Sequence, residues 1–370
     1  MHTQWESLAN EHILGIAPYE PGKPIEELER ELGIAHATKL ASNENPLPPS
    51  DRVQRAIVGA LGTLNRYPDG SGFYLRQALA KRHGVGADQV LLGNGSNELI
   101  ELLVRTFLKP GDEAVVPHPS FPFYPMVVQA AGGVRVMVML KDYRLDLDAM
   151  VRAITPLTKV VFIANPNNPT GTIVTAGEVE HFLSRVPPRT IVVFDEAYTE
   201  FAQGPDFPDM LAAVKEGRKV VVLRTFSKAT SLAGLRVGYA VADADAVALM
   251  NRIRQPFNVN SLAQIAALAA LDDEAHVLEC VRTIEAGRHF LYDEFKRLGI
   301  AYVPSHANFI LVDVGRSAAD IYQKLLREGV IVRPLTPFGM ETALRLTVGT
   351  PEENRRLIKA LRRALGSGDV

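Results

Sequence analysis

One cysteine, Cys280, in 370 residues excludes an intrachain disulfide and any thiolate metal cluster. An excess of one charge is missing too: 40 basic against 42 acidic side chains leave a net −2, no footprint for nucleic acid or an anionic membrane. No apolar run reaches the roughly 20 residues that span a bilayer. The first residues, Met1 to Glu6, lack a basic flank followed by an apolar core, so no signal peptide is expected. Internal repeats and low-complexity segments are absent as well. The expectation is a soluble, cytoplasmic protein with no nucleic-acid or membrane partner.

What is present is an ordinary globular composition, 47% hydrophobic and 22% charged, in a chain too long for one ordinary core. Two domains are therefore expected. From about residue 50 to 270, short apolar runs alternate with amphipathic stretches. Val90–Leu92, Glu113–Val116, Val134–Val138, Lys159–Ile163, Thr190–Phe194 and Val220–Leu223 read as strands buried on both faces. Helical candidates such as Asn97–Lys109 and Thr175–Arg185 lie between them. The fold class is α/β: a mostly parallel central sheet with helices on both faces, plus a smaller α+β domain. That domain is expected over residues 272–370, with a long helix (Glu274–Arg297), strands at Ile300–Val303, Phe309–Val312, Val330–Val332 and Leu344–Val348, and a closing helix (Glu352–Leu365). The large domain spans 45–271. Residues 1–44, with one amphipathic helix candidate at Pro24–Leu32, are expected to pack on the small domain.

Ligands of such sheets gather at the carboxyl ends of strands, and the informative residues fall there. Lys228 follows a buried run and stands among Thr225, Ser227 and Ser231, with Arg236 eight residues on. Desolvation lowers a lysine pKa, and a neutral lysine can form a Schiff base with an aldehyde cofactor; the hydroxyls and Arg236 would then hold a phosphate. A surface lysine in a Ser/Thr loop is the plainer reading. Gly95, Ser96 and Asn97 join a strand to a helix, where free N–H groups bind anions, although Ser96 or Asn97 could serve merely as a cap. Asn168, in Asn165-Pro-Asn-Asn-Pro-Thr-Gly171, sits in a rigid loop whose amide could donate to an oxyanion. Asp195 ends another apolar run and must meet a cation or strong donor, such as a protonated ring nitrogen. Tyr198 follows three residues later. Asp195 with Glu196 also suggests a metal pair, but no histidine is close in sequence and none is assigned. Phe121 is a ring suited to stacking on a flat cofactor. Tyr19 and Tyr67 are fixed beside prolines. Arg333 and Arg345 interrupt apolar strand-like segments, and a buried guanidinium demands an anion, either an internal carboxylate or a substrate.

Asn168-Pro-Thr-Gly171, Asp195 with Tyr198, and Ser227-Lys228 with Arg236 together resemble the fold-type I pyridoxal-phosphate aminotransferases, in order and approximate spacing. Pro18-Tyr19-Glu-Pro-Gly22, Gly95-Ser96, Arg66-Tyr67-Pro-Asp69 and Leu344-Arg-Leu-Thr-Val-Gly-Thr350 are similar to the histidinol-phosphate group within them. The resemblance implies pyridoxal 5′-phosphate as cofactor, with Lys228 as both its Schiff-base partner and the catalytic base. It implies Asp195 at the ring nitrogen, Asn168 and Tyr198 at the phenolate oxygen, and Phe121 on the ring, where tyrosine is common. Gly95, Ser96, Asn97, Thr225, Ser227 and Arg236 would line the cofactor site at its phosphate end, joined by Tyr67 of a second subunit in a homodimer. Tyr19, Arg333 and Arg345 would receive the anionic end of histidinol phosphate in one half-reaction and of glutamate or 2-oxoglutarate in the other. Aromatic amino-acid aminotransferases share almost all of these residues, and threonine-phosphate decarboxylases resemble the scaffold, so both stay open as alternatives. A dinucleotide-binding oxidoreductase does not, because Gly93-Asn-Gly95 lacks the third glycine of that fingerprint.

Overall fold

In the computed structural model, which describes residues 4–202 and 204–366, a seven-stranded sheet forms the larger layer. After a two-residue strand β1 (Thr38–Lys39), it is built from β2 (Val90–Gly93), β3 (Glu113–His118), β4 (Val134–Met139), β5 (Thr158–Ala164), β6 (Ile191–Asp195), β7 (Val220–Thr225) and β8 (Gly238–Val241). The spatial order is β2-β8-β7-β6-β5-β3-β4. Strands β3 to β7 pair in parallel, and β8 runs antiparallel to both β7 and β2. Parallel neighbours require crossover connections, which the amphipathic stretches supply as helices.

Side chains alternate across a strand, so an apolar run feeds two cores at once. On β5, Val161 and Ile163 join Phe182 and Phe194 on one face, while Val160 and Phe162 join Leu103 and Tyr124 on the other. This double burial is why these strands lack a polar alternation. Strand β4 departs from the expectation: Val134, Arg135, Met137 and Met139 are exposed. It is the sheet edge, with one neighbour, and a charged side chain on such a strand discourages further pairing.

The smaller layer follows the 25-residue helix Glu274–Leu298. Its strands are β9 (Ala301–Val303), β10 (Phe309–Asp313), β11 (Val330–Ile331), β12 (Arg333–Pro334) and β13 (Ala343–Thr347). Four of them form an antiparallel sheet in the order β12-β13-β10-β9. The strand expected over Val330–Val332 ends at Ile331, and a second short strand follows from Arg333. Strand β11 pairs in parallel with β1, whereas β12 crosses to β13, where Pro334 can occupy an edge because it has no N–H to offer. The helix Ile25–Leu32 begins after Pro24 and ends at Gly33, whose φ of +64° closes it. Its Leu28 packs with Ala41, Leu326 and Ile331. Farther along the N-terminal segment, Asn43 bonds to Thr347 on β13 and Asn45 to the loop after β7, so the segment touches both layers.

Candidate active site

Lys228 stands three residues beyond β7, in a loop anchored by Asn45, whose Nδ2 donates to the carbonyls of Lys228 (2.9 Å) and Ala229 (3.2 Å). The Lys228 amine donates to Asn43 O at 3.0 Å. Burial in the cleft, and secondarily the positive charge of Arg345, lower its pKa to about 8. At pH 7 about one amine in ten is then neutral and nucleophilic, against fewer than ~0.1% for an ordinary lysine.

Strand β6 ends in Asp195, buried, whose Oδ2 accepts from Tyr124 Oη at 2.7 Å and Oδ1 from Ala197 N at 3.2 Å. Burial pushes its carboxyl pKa up. Tyr124 is itself fully buried and stacked on Phe162, with ring centroids 4.7 Å apart. Glu196 turns away, as alternation along a strand requires, and pairs with Arg224 at 2.8 Å. Asp195 and Glu196 therefore do not form the metal pair their adjacency suggests. Among the described residues no group of three or more His, Cys, Asp or Glu is arranged to hold a metal. Tyr198 lies below the Lys228 amine, 5.5 Å from its ring centroid, and its Oη accepts from Asn43 Nδ2 at 2.9 Å.

A third group of residues forms an anion cradle. The helix Ser96–Phe107 starts at Gly95, φ +77°, and no side chain caps it. Capping thus does not explain Ser96 and Asn97, and the helix's first N–H groups face the cleft. Thr225 Oγ1 bonds Ser227 Oγ at 2.9 Å, and Arg236 Nη1 reaches the same Oγ at 3.3 Å. A Cβ on Gly95 would fall 2.3 Å from Arg236 Nη2, so only glycine admits this approach.

Lys228, Asp195, Tyr198, Ser96, Asn97, Thr225, Ser227 and Arg236, with Phe121 and Asn168, line one cavity of about 290 Å³, and Gly95 lies behind its lining. It offers anion donors at one end, a buried carboxylate at another and a partly neutral amine in its wall. That donor set fits a flat heteroaromatic aldehyde bearing a phosphate and a basic ring nitrogen. Phe121 meets Tyr124 edge-on at 5.4 Å.

Arg345, on β13, is buried, and among the described residues no carboxylate pairs with it. Its Nη1 donates to Asn168 Oδ1 and its Nη2 to Ala41 O, both at 2.6 Å, while Nε is buried with no partner. Desolvation lowers its pKa, and the guanidinium is left short of an anion. Arg333 lies opposite Arg345 in the β12–β13 register. It is not buried as its apolar flanks suggest, because β12 is an edge. It donates to Glu20 O at 2.8 Å and sits 5.7 Å from the Tyr19 ring. Tyr19, half exposed, Arg333 and Phe121 share a second cavity of about 540 Å³ beside the first. Tyr67 is not among these groups: it is 82% exposed and stacks on Phe257 at 4.7 Å.

Sequence reasoning missed Tyr124 and Asn43. Tyr124 sits in an aromatic run that reads as packing. Asn43, in Ser42-Asn-Glu-Asn-Pro46, carries the same Asn-Pro punctuation that marked Asn168, the one signal that could have found it.

Residues 35–361 match the family model for aminotransferase class I and II. The histidinol-phosphate aminotransferase of Moorella thermoacetica is 49% identical over 356 residues, 96% of this chain and 92% of that protein. The histidinol-phosphate aminotransferase 2 of Pseudomonas fluorescens is 51% identical over 361 residues, 97% of this chain and 98% of that one. The crystal structure of histidinol-phosphate aminotransferase from Sinorhizobium meliloti in complex with pyridoxal-5′-phosphate superposes with a TM-score of 0.87 at 30% identity, covering 94% of this chain and 96% of that chain.

Proposed function

The chain belongs to the class I and II aminotransferases, and from that premise we propose that it exchanges an amino group between histidinol phosphate and 2-oxoglutarate, giving imidazole-acetol phosphate and glutamate. Pyridoxal 5′-phosphate is the cofactor, and when bound it supplies an aldehyde carbon for amine exchange and a ring that draws electron density from the substrate Cα.

The chain's own residues do the rest. Lys228 would hold the cofactor's aldehyde carbon and would serve as the base that moves the proton at the substrate Cα; its lowered pKa supports both roles. Asp195 keeps a proton on the ring nitrogen, and Tyr124 with the Ala197 N–H hold its carboxylate in place. Tyr198 and Asn168 donate to the phenolic oxygen. Because Asn168 Oδ1 already accepts from Arg345, its amide has Nδ2 to offer. The cradle of Gly95, Ser96, Asn97, Thr225, Ser227 and Arg236 takes the phosphate, and Phe121 covers the ring. Tyr67 reaches the phosphate of the partner subunit in a homodimer, which accounts for its exposure in a single chain. A cytoplasmic setting belongs to the same proposal, supported by a single thiol, Cys280, that is buried and free.

The observation that carries the substrate reading is Arg345: a buried guanidinium with, among the described residues, an unpartnered Nε and no carboxylate partner. Arg345 meets the first cavity through Asn168, and with Arg333 opposite it and Tyr19 beside that, this side of the site suits a phosphate ester in one half-reaction and an α-carboxylate in the other. The test follows the visible spectrum of the cofactor-loaded protein as histidinol phosphate, phenylalanine and threonine phosphate are added separately. Conversion to the pyridoxamine form by histidinol phosphate, well ahead of phenylalanine, is expected. Preference for phenylalanine would reassign it to the aromatic enzymes, and carbon dioxide release from threonine phosphate to the decarboxylases.

A further inference from the structure

Asn43 is 1% exposed, holds a left-handed φ of +53°, and does not line the cavity, yet it bonds to two groups that do. Its N–H donates to Thr347 Oγ1 at 3.0 Å. Thr347 returns its own proton to Asn43 Oδ1 at 3.3 Å. That exchange fixes the amide: with Oδ1 turned to β13, Nδ2 faces Tyr198 and donates to Oη at 2.9 Å. The Asn43 carbonyl meanwhile accepts from Lys228 Nζ and Asn308 Nδ2, each at 3.0 Å.

A phenol has one proton to give and accepts through its lone pairs. We propose that Asn43 is a positioning residue that sets the polarity of the Tyr198 hydroxyl: by donating to Oη it turns the phenol's only proton into the cavity, onto the phenolic oxygen of the cofactor. The inference rests on the cofactor reading given above. The charged and titratable groups facing Tyr198 are Asp195 from β6, Tyr124 from the helix Phe123–Ala130, Lys228 from the loop after β7, Arg345 from β13 and Tyr19 from the N-terminal segment. Asp195 is occupied by Tyr124 and the Ala197 N–H, and Arg345 donates to Asn168 and Ala41, which leaves the amide of Asn43 as the group that orients Oη. Through Thr347 and Asn308 the small sheet is thereby tied to the tyrosine and the lysine at once.

The readout is the pH titration of the visible band of the cofactor-loaded protein. When the lysine–cofactor linkage loses its proton, the phenolic oxygen loses an internal donor, and the Tyr198 proton compensates. Removing that compensation raises the titration midpoint. Asn43→Asp has nearly the same shape but replaces the donor with an acceptor, drawing the Tyr198 proton away. Its midpoint should rise by about one pH unit, the size of one hydrogen bond, as should that of Tyr198→Phe. Asn43→Gly tolerates the left-handed backbone and removes the donor; a smaller rise is expected, and it carries the test if the aspartate variant does not fold. In a Tyr198→Phe background neither Asn43 change should shift the midpoint further. A rise that persists there comes from added charge alone and overturns the proposal. So does a midpoint unmoved by both Asn43 variants while Tyr198→Phe shifts it. If Tyr198→Phe itself shifts nothing, Tyr198 does not meet the cofactor, and the reading beneath the proposal fails with it.

Discussion

Lys228 is maintained against its own stability. Burial lowers its pKa from the ordinary 10.5 to about 8, so the folded protein holds this proton less tightly than the unfolded chain does. Between those two values the unfolded state binds more protons, and folding stability rises with pH; below about 8 the full cost is borne. The side chain is only part-buried, so we discount the shift for solvent screening and expect about 1–2 kcal/mol. Lys228→Met in the cofactor-free protein should therefore raise the melting temperature at pH 7, with the advantage shrinking through pH 8 and gone near 10.5. Its hydrogen-bond acceptor would not be orphaned, because Asn43 O also accepts from Asn308. A stability gain that stayed constant with pH would mean that packing, not charge, separates the two. Lys228 and Asp195 were legible in the sequence for this same reason: each places a charge at the end of an apolar run, a local conflict that function explains. Tyr124 and Asn43 create no such conflict. Their importance lies in partners 71 and 155 residues away, Asp195 and Tyr198, which no local pattern reveals.

At the level of elements, the site depends on β6 and β7 ending in register. The backbone continues their ladder past Asp195, with Glu196 N donating to Leu223 O at 2.9 Å. Beneath it, the Glu196 carboxylate takes both Nε (2.9 Å) and Nη2 (2.8 Å) of Arg224, and the glutamate side chain is 1% exposed. Arg224 holds its charge firmly, its pKa kept high by Glu196 despite the burial that opposes it. Glu196→Ala should destabilise the fold by about 3 kcal/mol, read as a lower urea midpoint, because it strands a guanidinium. Replacing both partners with leucine should recover part of that loss, since neither member of the pair is then left unpaired, while Glu200, which also faces Arg224, loses its cation and takes up a proton. The strands this pair joins were readable as apolar runs. Strand β8 was not, although it separates β7 from β2: its four residues, Gly238–Val241, follow directly on the Arg236 motif, and a glycine-led tetrapeptide carries little periodicity. The break between β11 and β12 was hidden for a different cause, since which sheet an apolar residue joins is decided by β1, about 290 residues earlier in the chain.

For the molecule as a whole, the open question raised by the site is Tyr67. It belongs to an aromatic surface that one chain leaves uncovered: Tyr67 is 82% exposed, Phe257 44%, and Phe73 and Tyr74, packed edge-on at 5.3 Å, are 54% and 73% exposed. Two pairs of exposed rings close in sequence add apolar surface that a single chain leaves uncovered, and such surface marks contact regions. Among the described residues Tyr67 does not line its own chain's cavity, so its hydroxyl is available to another chain. The proposed homodimer joins these two facts by exchanging Tyr67 between subunits. Sedimentation of the cofactor-loaded protein should accordingly give twice the 40.5 kDa chain mass. Tyr67→Phe keeps the ring and its stacking on Phe257, so the dimer should persist. Losing one charge-assisted hydrogen bond should then weaken cofactor retention roughly tenfold, measured by equilibrium dialysis against pyridoxal phosphate. Tyr67→Asp puts a charge into the apolar patch and should lower both the dimer fraction and the affinity for cofactor. A monomer that binds the cofactor as tightly as the parent protein would refute the exchange, and the exposed rings would then need another partner.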